Sequence, residues 1–354
     1  MTGPARGTGA RPPYAREVTS PAPAPPTPTE AEARTEHRRG LAAGFGAYLL
    51  WGAMPLYFPL LEPAAPLEII AHRVVWSLVF CLLLLAVTRS LPQLRAVLRD
   101  RRLLLTLSLG AVLVAVNWSI YVWAVLEDKV LDAALGYFIN PVVTVLLAVV
   151  VLRERLRPLQ WVAIGLGMAA VVVLTVGVGH VPWVSLALAF SFGLYSLVKN
   201  RVGGRVAAAP GLAAETLVLT PFAVGYLVYL QTQGDNTMMT HGAGHLLALA
   251  SAGVVTAVPL LLFAASARRV PLRVVGLLQY LTPVLQFLVG LLVFHETMPV
   301  ARWVGFVLVW GALILLTTDG LRAARVLRLA DPRRATAPSA RADDAAADTV
   351  EPIT

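Results

Sequence analysis

The chain of 354 residues is far more apolar than a soluble protein, with 57% hydrophobic and only 14% charged residues, against about a quarter charged in typical soluble domains. Its net charge of +9 comes from basic residues that are almost all arginines and stand in short clusters between apolar runs. That pattern is typical of the loops of a membrane protein and argues against a nucleic-acid-binding surface.

Both ends of the chain are predicted to be disordered cytoplasmic tails. Residues 1–39 are rich in Pro, Ala, Thr and Arg, and residues 321–354 carry several Arg before turning to Ala, Asp and Pro. Neither composition can bury a core. A cleaved signal peptide would need an apolar stretch soon after the start, and the first one begins only at Leu41. We therefore expect the first apolar segment to be retained as a membrane helix.

Between the tails, ten apolar segments approach the length of about 20 residues that crosses about 30 Å of hydrocarbon. They run from Leu41 to Leu60, Pro66 to Thr88, Leu103 to Leu126, Val130 to Leu152, Pro158 to Val176, Pro182 to Val198, Gly211 to Leu230, His245 to Ala267, Leu272 to Phe294 and Pro299 to Thr317. The single cysteine, Cys81, lies inside the second segment, so neither a disulfide framework nor a cysteine-based zinc site is available. The sequence predicts an all-α integral membrane protein with ten transmembrane helices.

Basic residues are concentrated in alternate loops, which sets the orientation. They are Arg89, Arg95, Arg99, Arg101 and Arg102, then Arg153, Arg155 and Arg157, then Lys199, Arg201 and Arg205, then Arg268, Arg269 and Arg273. The intervening loops offer only Lys129. Because Lys and Arg are retained on the cytoplasmic side, we expect a multi-pass protein of the cytoplasmic (inner) membrane with both termini in the cytoplasm.

The fourth segment carries a pattern that returns in the ninth. The two copies are Leu135-Gly-Tyr-Phe-Ile-Asn-Pro141 followed by Glu154 and Trp161, and Leu277-Leu-Gln-Tyr-Leu-Thr-Pro283 followed by Glu296 and Trp303. Proline lacks an N–H and clashes with the preceding turn, so both helices are predicted to be broken at their centres. Five helices per half is an odd number, and the second half then enters the membrane from the opposite side. The sequence predicts two inverted five-helix repeats, residues 40–178 and 179–320.

Polar side chains at membrane depth are the candidates for function, because they are costly in hydrocarbon. In the second helix, His72, Arg73 and Trp76 lie on a polar arc with Glu68 and Ser77. Arg73 is suited to binding a carboxylate or phosphate on a substrate. The alternative is an internal pairing of Arg73 with Glu68 or with unwound carbonyls.

The other candidates lie on four further helices. Asn117 and Tyr121 stand one turn apart on the third, and Asn117 is as well explained by an interhelical hydrogen bond as by substrate contact. Tyr137, Asn140, Gln279 and Tyr280 flank the predicted breaks and are expected to line a cavity. Trp161 and Trp303 are expected to be interface anchors or packing residues.

Glu215 begins about one turn inside the seventh helix from the cytoplasmic side. A carboxylate there could carry a coupling proton, or be ionised and structural, capping a helix or pairing with a loop Arg. At about 1.5 Å per residue, Glu215 lies roughly 14 Å from Arg73 in depth, so we do not expect the two to pair.

The chain resembles the RarD-like branch of the EamA family, within the drug/metabolite transporter superfamily. The resemblance extends over roughly residues 40 to 320 and rests on Tyr48-x-x-Trp51-Gly52-x-x-Pro55-x-Tyr57-Phe58, Glu68-Ile-Ile-Ala-His72-Arg73-Val-Val-Trp76-Ser77, Asn117-Trp118, Trp123-Ala124-Val125, Gly136 to Pro141, Gln160-Trp161, Ser191-Phe192-x-x-Tyr195, Glu215-Thr216, Pro259-Leu260 and Gln279-Tyr280. Pro59 stands where similar proteins usually have Lys after the Tyr-Phe pair. The resemblance implies a ten-helix inner-membrane exporter of small metabolites or drug-like molecules, without defining the substrate.

Enzyme motifs are not found. Neither Lys129 nor Lys199 follows a glycine-rich loop, so ATP is not indicated as an energy source. His295-Glu296 begins like a zinc-protease motif, but Pro299 replaces the second histidine. We expect no cofactor, no metal and no nucleic-acid partner, only a small-molecule substrate and the lipid bilayer. Two alternatives stay open: a membrane-embedded transferase with His72 and Glu68 as its acid-base pair, which would make a new product, and a passive channel, which would not saturate.

Overall fold

The computed structural model describes residues 30–153, 156–202, 205–267 and 269–329, and every regular element in these ranges is a helix. Most of the two predicted tails, residues 1–29 and 330–354, lies outside the described residues. So does Glu154, the predicted counterpart of Glu296.

Among the described residues, the first half of the chain forms seven helices and one 3₁₀ turn. They are α1 (Glu30–Gly52), α2 (Met54–Tyr57), the 3₁₀ turn (Phe58–Leu61), α3 (Pro66–Val87), α4 (Leu91–Arg99), α5 (Arg101–Leu126), α6 (Val130–Leu152) and α7 (Pro158–Val178). The second half forms seven more. They are α8 (Trp183–Val202), α9 (Ala208–Gln233), α10 (Thr237–Thr240), α11 (Gly242–Ala267), α12 (Leu272–Leu278), α13 (Leu281–Leu292) and α14 (Val300–Leu329). Each of the ten predicted apolar segments is therefore largely helical.

Eight helices among the described residues are long and apolar enough to cross a membrane. The first apolar segment supplies a ninth if α1, α2 and the 3₁₀ turn, which bend by 49°, are one span. In α8, the apolar stretch Trp183–Lys199 falls short of the same length. The chain is thus a multi-pass membrane protein with eight or nine candidate spans by length and composition.

The terminal helices are longer than predicted. Helix α1 begins at Glu30 and α14 runs to Leu329, so the disorder predicted for residues 30–39 and 321–329 is wrong. Hydropathy detects where a helix becomes apolar, and a helix can continue past that point because its backbone hydrogen bonds do not depend on lipid. In the polar extension of α1, Glu36 accepts a hydrogen bond from Arg269 Nε at 2.7 Å.

Of the two predicted helix breaks, the one at Pro141 is absent and the one in the ninth segment is present. Helix α6 continues through Pro141, so the break predicted there is wrong. The ninth segment is interrupted at Gln279 and Tyr280, between α12 and α13. Proline is tolerated inside a membrane helix where neighbouring helices pack around it. Helix α6 packs against α8 so closely that a Cβ on Gly136 would lie 2.7 Å from the carbonyl oxygen of Ser185.

Glu296 joins the two halves at the start of α6. Its carboxylate accepts hydrogen bonds from the backbone N–H groups of Val130 and Leu131, the latter at 3.1 Å. These N–H groups lack a partner inside the helix, and the positive end of the helix dipole favours a negative charge there. Arg302 lies 3.5 Å from Asp132 and 3.9 Å from Glu296. The loop between α13 and α14 thereby caps α6.

We predict that the stability of the protein depends on pH through Glu296. Burial raises the pKa of Glu296 to about 7, although the N–H groups of Leu131 and Val130 and the charge of Arg302 act in the opposite direction. An acid whose pKa is raised on folding contributes stability that is fully present below its ordinary pKa of 4.5 and is lost as the pH rises through about 7. Between pH 5 and 8, the thermal midpoint of the wild type should fall relative to that of Glu296→Gln.

The measurement is thermal unfolding of the purified full chain in detergent at each pH. Glu127→Gln, which alters an exposed carboxylate at the end of α5, is the matched control and should follow the wild type throughout. A difference between Glu296→Gln and the wild type that does not change with pH would contradict the prediction.

Candidate functional site

Close packing of α3 against α11 creates the setting for Arg73. A Cβ on Gly253 of α11 would collide with the backbone carbonyl of Trp76 of α3, so the two helices touch along their backbones. Thr256 lies about one turn further along α11 and accepts a hydrogen bond from Arg73 Nε at 2.7 Å. The polar arc of the second predicted helix therefore faces a helix of the other half of the chain.

Arg73 is buried and stacks on aromatic rings. Its guanidinium carbon lies 4.1 Å from the ring centroid of Trp118 and 5.9 Å from that of Phe58. A desolvated cation–π contact with Trp stabilises by about 2 kcal/mol, and a hydrogen bond from a charged group adds about 1.5–3 kcal/mol. Together these contributions, about 3.5–5 kcal/mol, equal or exceed the cost of about 2.5–3.5 kcal/mol that insertion scales give for Arg at the centre of a membrane helix. The arginine can thus be held in place without an acidic partner.

No acidic partner is seen for Arg73 in the described part of the chain, where no carboxylate oxygen lies within 4.0 Å of it. Glu68 accepts hydrogen bonds from the N–H and Oγ1 of Thr237, at 2.8 and 2.9 Å. Glu215 pairs with Lys199 Nζ at 2.6 Å. The α6 carbonyls are not unwound, because that helix is continuous. All three internal partners weighed for Arg73 are thus occupied elsewhere.

Tyrosines and an asparagine surround this arginine. Tyr137 donates a hydrogen bond to Asn117 Oδ1 at 3.2 Å, and the ring of Tyr137 lies 5.6 Å from that of Tyr121. The ring of Tyr121 lies 5.9 Å from that of Phe58, and Phe58 in turn contacts the guanidinium of Arg73. We call this set the central cluster, and its members are Phe58, Arg73, Asn117, Trp118, Tyr121 and Tyr137.

The second half of the chain holds the central cluster in position through three polar side chains and one backbone carbonyl. Besides Thr256, Ser191 of α8 accepts a hydrogen bond from Asn117 Nδ2 at 2.9 Å, and Gln286 of α13 donates to the hydroxyl of Tyr121 at 2.8 Å. Asn117 Nδ2 also donates to the carbonyl of Leu188 at 3.1 Å. Asn117 therefore makes the interhelical hydrogen bonds of its structural alternative while it orients Tyr137.

The remaining candidates lie outside the central cluster. His72 Nε2 lies 3.9 Å from Glu68 Oε1, in a polar group with Thr237. Trp76 Nε1 and Asn140 Oδ1 are buried without a hydrogen-bond partner among the described residues. The side chain of Gln279 is exposed, and that of Tyr280 reaches α14, with its hydroxyl 3.4 Å from Thr317 Oγ1. Arg73, Asn117, Tyr121 and Tyr137 are therefore brought together, while Gln279 and Tyr280 are not part of this group.

Glu215 is in contact with Lys199 on α8 rather than with a loop arginine. Only 4% of its side chain is exposed. The ion pair ties α9 to α8. Glu215 is therefore ion-paired, but not with the loop arginine that the structural alternative expected.

Five residues of this site were not among the predicted site residues. Phe58, Trp118 and Ser191 appear only within the sequence motifs quoted above, and Thr256 and Gln286 were not singled out. Gln286 is a buried amide in an otherwise apolar helix, so its polarity at membrane depth was the available signal. Thr256 carries no such signal, because threonine is common in membrane helices.

Comparison with known proteins identifies a family and several relatives that match most of the chain. The profile of the EamA-like transporter family matches the chain twice, over residues 38–176 and 181–318. The chain is 51% identical over 293 residues to Protein RarD of Streptomyces exfoliatus, a match covering 83% of this chain and 92% of that protein. It is 41% identical to the uncharacterized transporter YojE of Bacillus subtilis, with 80% and 94% of the two chains covered. It is 35% identical to the chloramphenicol-sensitive protein RarD of Pseudomonas aeruginosa, with 81% and 96% covered.

A solved structure, described as "Crystal structure of protein", has a similar fold. The likeness covers 79% of this chain and 97% of that one, with a TM-score of 0.53 and 19% sequence identity. At this identity the likeness concerns the fold alone.

Proposed function

The chain belongs to the EamA-like transporter family, and from that premise we propose that it is a secondary transporter that exports small metabolites or drug-like molecules by alternating access. It acts in the cytoplasmic membrane with both termini in the cytoplasm, as the arginines of alternate loops indicate. The names of relatives such as YojE, a transporter, support this function over that of an enzyme. The transferase with His72 and Glu68 has no comparable support, since Glu68 is engaged by Thr237.

We further propose ten spans arranged as two inverted repeats, residues 40–178 and 179–320. The two matches of the family profile support this division. The helix contacts support it too, because α3 packs on α9 and α7 on α14, each beside its counterpart in the other half. Helix α1 packs on α11, and the equivalent pair, α5 on α8, is also in contact. Exchanging the halves therefore maps these contacts onto each other, as a two-fold pseudo-symmetry requires.

The central cluster is the proposed substrate site, and the observation that carries the proposal is the buried Arg73 without an acidic partner. Arg73, Asn117, Tyr121 and Tyr137 contact the substrate in this account, with His72, Trp76 and Asn140 close to them along α3 and α6. Gln279 and Tyr280 would contact the substrate only in another conformation of the protein. Arg73 is 6% exposed, so the described conformation is closed around it. Substrate must enter and leave through movement of the helices, which is what alternating access supplies.

An assay against a solute panel tests the transport function itself. The purified chain is reconstituted in liposomes, and the movement of each metabolite is compared with that in protein-free liposomes. Saturation with concentration is the result expected of a transporter. Movement that never saturates would favour the passive channel, and conversion of a solute to a new product would favour the transferase.

We predict that Arg73→Lys inserts and folds normally but moves the transported solute at least ten-fold more slowly. A lysine keeps the positive charge but cannot reproduce the planar fork that stacks on Trp118 while donating to Thr256. The measurement is the initial rate in proteoliposomes at matched protein content. Arg269→Lys, which alters a half-exposed arginine at the end of α11, is the matched control and should keep the full rate. Full transport by Arg73→Lys would count against the site.

If transport is driven by protons, we propose Glu215 as the residue that carries them. Protonation would remove the charge that holds Lys199, and would release α9 from α8 at that end of the bundle. Glu215→Gln is therefore expected to transport without responding to an imposed pH gradient. Lys199→Gln breaks the same pair but keeps the carboxylate, so it should still respond. Unchanged dependence on the gradient in a well-expressed Glu215→Gln variant would rule out this role.

A further inference from the structure

The charge balance of the central cluster restricts the kind of molecule that fits it. Arg73 brings one positive charge, and only its Nε is engaged within the described part of the chain, by Thr256. The two terminal nitrogens form no hydrogen bond to a described residue. They present parallel N–H donors, an arrangement that matches the two oxygens of a carboxylate. A ligand that leaves this charge unopposed would forgo the strongest interaction that the site offers.

A second negative charge on the ligand would find no partner. Lys199 is paired with Glu215, and the imidazole of His72 is directed to Glu68. No second cation among the described residues contacts the rings of Phe58 or Trp118. Because charge is poorly screened inside a helix bundle, an unpaired second anion would be strongly disfavoured.

An ammonium group on the ligand would be equally poorly matched. The acids that could accept it, Glu68 and Glu215, are held by Thr237 and Lys199. A zwitterion would therefore bring a positive charge next to Arg73, where no described carboxylate of the protein is placed to oppose it. These charges therefore favour an anion that lacks an amine over an amino acid with the same side chain.

The rest of the cluster is aromatic. Phe58, Trp118, Tyr121 and Tyr137 supply rings, and the Tyr121 ring meets those of Phe58 and Tyr137 edge-on. Aromatic walls favour a ligand with a planar apolar body, which can stack or meet the rings edge to face. Their polar atoms are two hydroxyl groups and an indole N–H, so they offer little to a heavily hydroxylated molecule.

We propose that the central cluster binds a small organic monoanion, a carboxylate attached to a planar ring and lacking an ammonium group. The inference rests on the proposed function, because it names the class of substrate for the same site. It differs from that function in making a prediction about equilibrium binding, which can be tested without transport.

The experiment measures binding of four compounds that share a phenyl ring but differ in charge. They are phenylacetate (monoanion), phenylacetamide (neutral), phenylalanine (zwitterion) and phenylmalonate (dianion). Each is titrated calorimetrically into the purified full chain in detergent at pH 7.5. We expect phenylacetate to bind at least ten-fold more tightly than each of the other three.

Variants test whether Arg73 is the residue that causes the preference for phenylacetate. In Arg73→Gln, phenylacetate should bind no more tightly than phenylacetamide, whereas Arg269→Gln should keep the wild-type ranking. Thr256→Val keeps the guanidinium but removes the hydrogen bond that orients it, and should reduce the preference by a smaller factor. If Arg73→Gln fails to fold, the ranking in the wild type still decides the matter.

Equal or tighter binding of the amide, the zwitterion or the dianion would overturn the proposal, and so would the absence of measurable phenylacetate binding. A preference for phenylacetate that persists in a folded Arg73→Gln variant would overturn it as well. Failure of the transport function is a different result, namely that no solute of a broad panel moves saturably in proteoliposomes. A neutral or zwitterionic solute that is transported would leave the function intact and reject the monoanion.

Discussion

The stacking of Arg73 on Trp118 is the interaction on which the proposed site depends. It lets a full positive charge remain inside a helix bundle with a hydrogen bond to Thr256 and no acid beside it. The groups that make up this arrangement come from different helices. Helix α5 brings the indole, and α11 brings the hydroxyl by packing against the backbone of α3 at Gly253. The site therefore exists only where the two halves of the chain meet.

Unlike Arg73, the buried acidic side chains of the described structure are held by partners from the protein. Glu68 is held by Thr237 and lies near His72, Glu215 is paired with Lys199, and Glu296 caps α6. Arg73 and Glu215 stand at the same position along α3 and α9, helices that correspond in the proposed repeats. Lys199 thus neutralises Glu215 within the proposed second repeat, whereas Arg73 of the proposed first repeat has no acidic partner among the described residues. In this account, the asymmetry assigns substrate recognition to the first repeat and leaves the second to hold α8 and α9 together.

The sequence predicted the helices better than the contacts between them. All ten apolar segments are largely helical, and α6 has the predicted ends, because membrane thickness fixes how long an apolar run must be. Among the described residues, eight or nine candidate spans are long and apolar enough to cross a membrane. Hydropathy gave the wrong ends for α1 and α14, because both helices continue beyond their apolar stretches. The break predicted at Pro141 failed because packing by neighbouring helices, which one segment cannot reveal, lets α6 continue. Arg73 and Glu215 do not pair among the described residues, as expected, because Glu215 contacts Lys199 instead. Thr256 and Gln286 could not be assigned to Arg73 and Tyr121, since no local pattern records which distant helix is adjacent.

Access to the central cluster from both sides of the membrane is the most direct test of the account. The chain has a single cysteine, Cys81, so Tyr137→Cys in a Cys81→Ala background offers one defined thiol. A membrane-impermeant maleimide is applied to right-side-out and to inside-out vesicles, with Leu131→Cys as a fully buried control. Alternating access around the cluster predicts that the thiol at position 137 is labelled from either side and the control from neither. Labelling of the thiol at position 137 from one side only, or from neither side, would contradict a substrate site at Arg73.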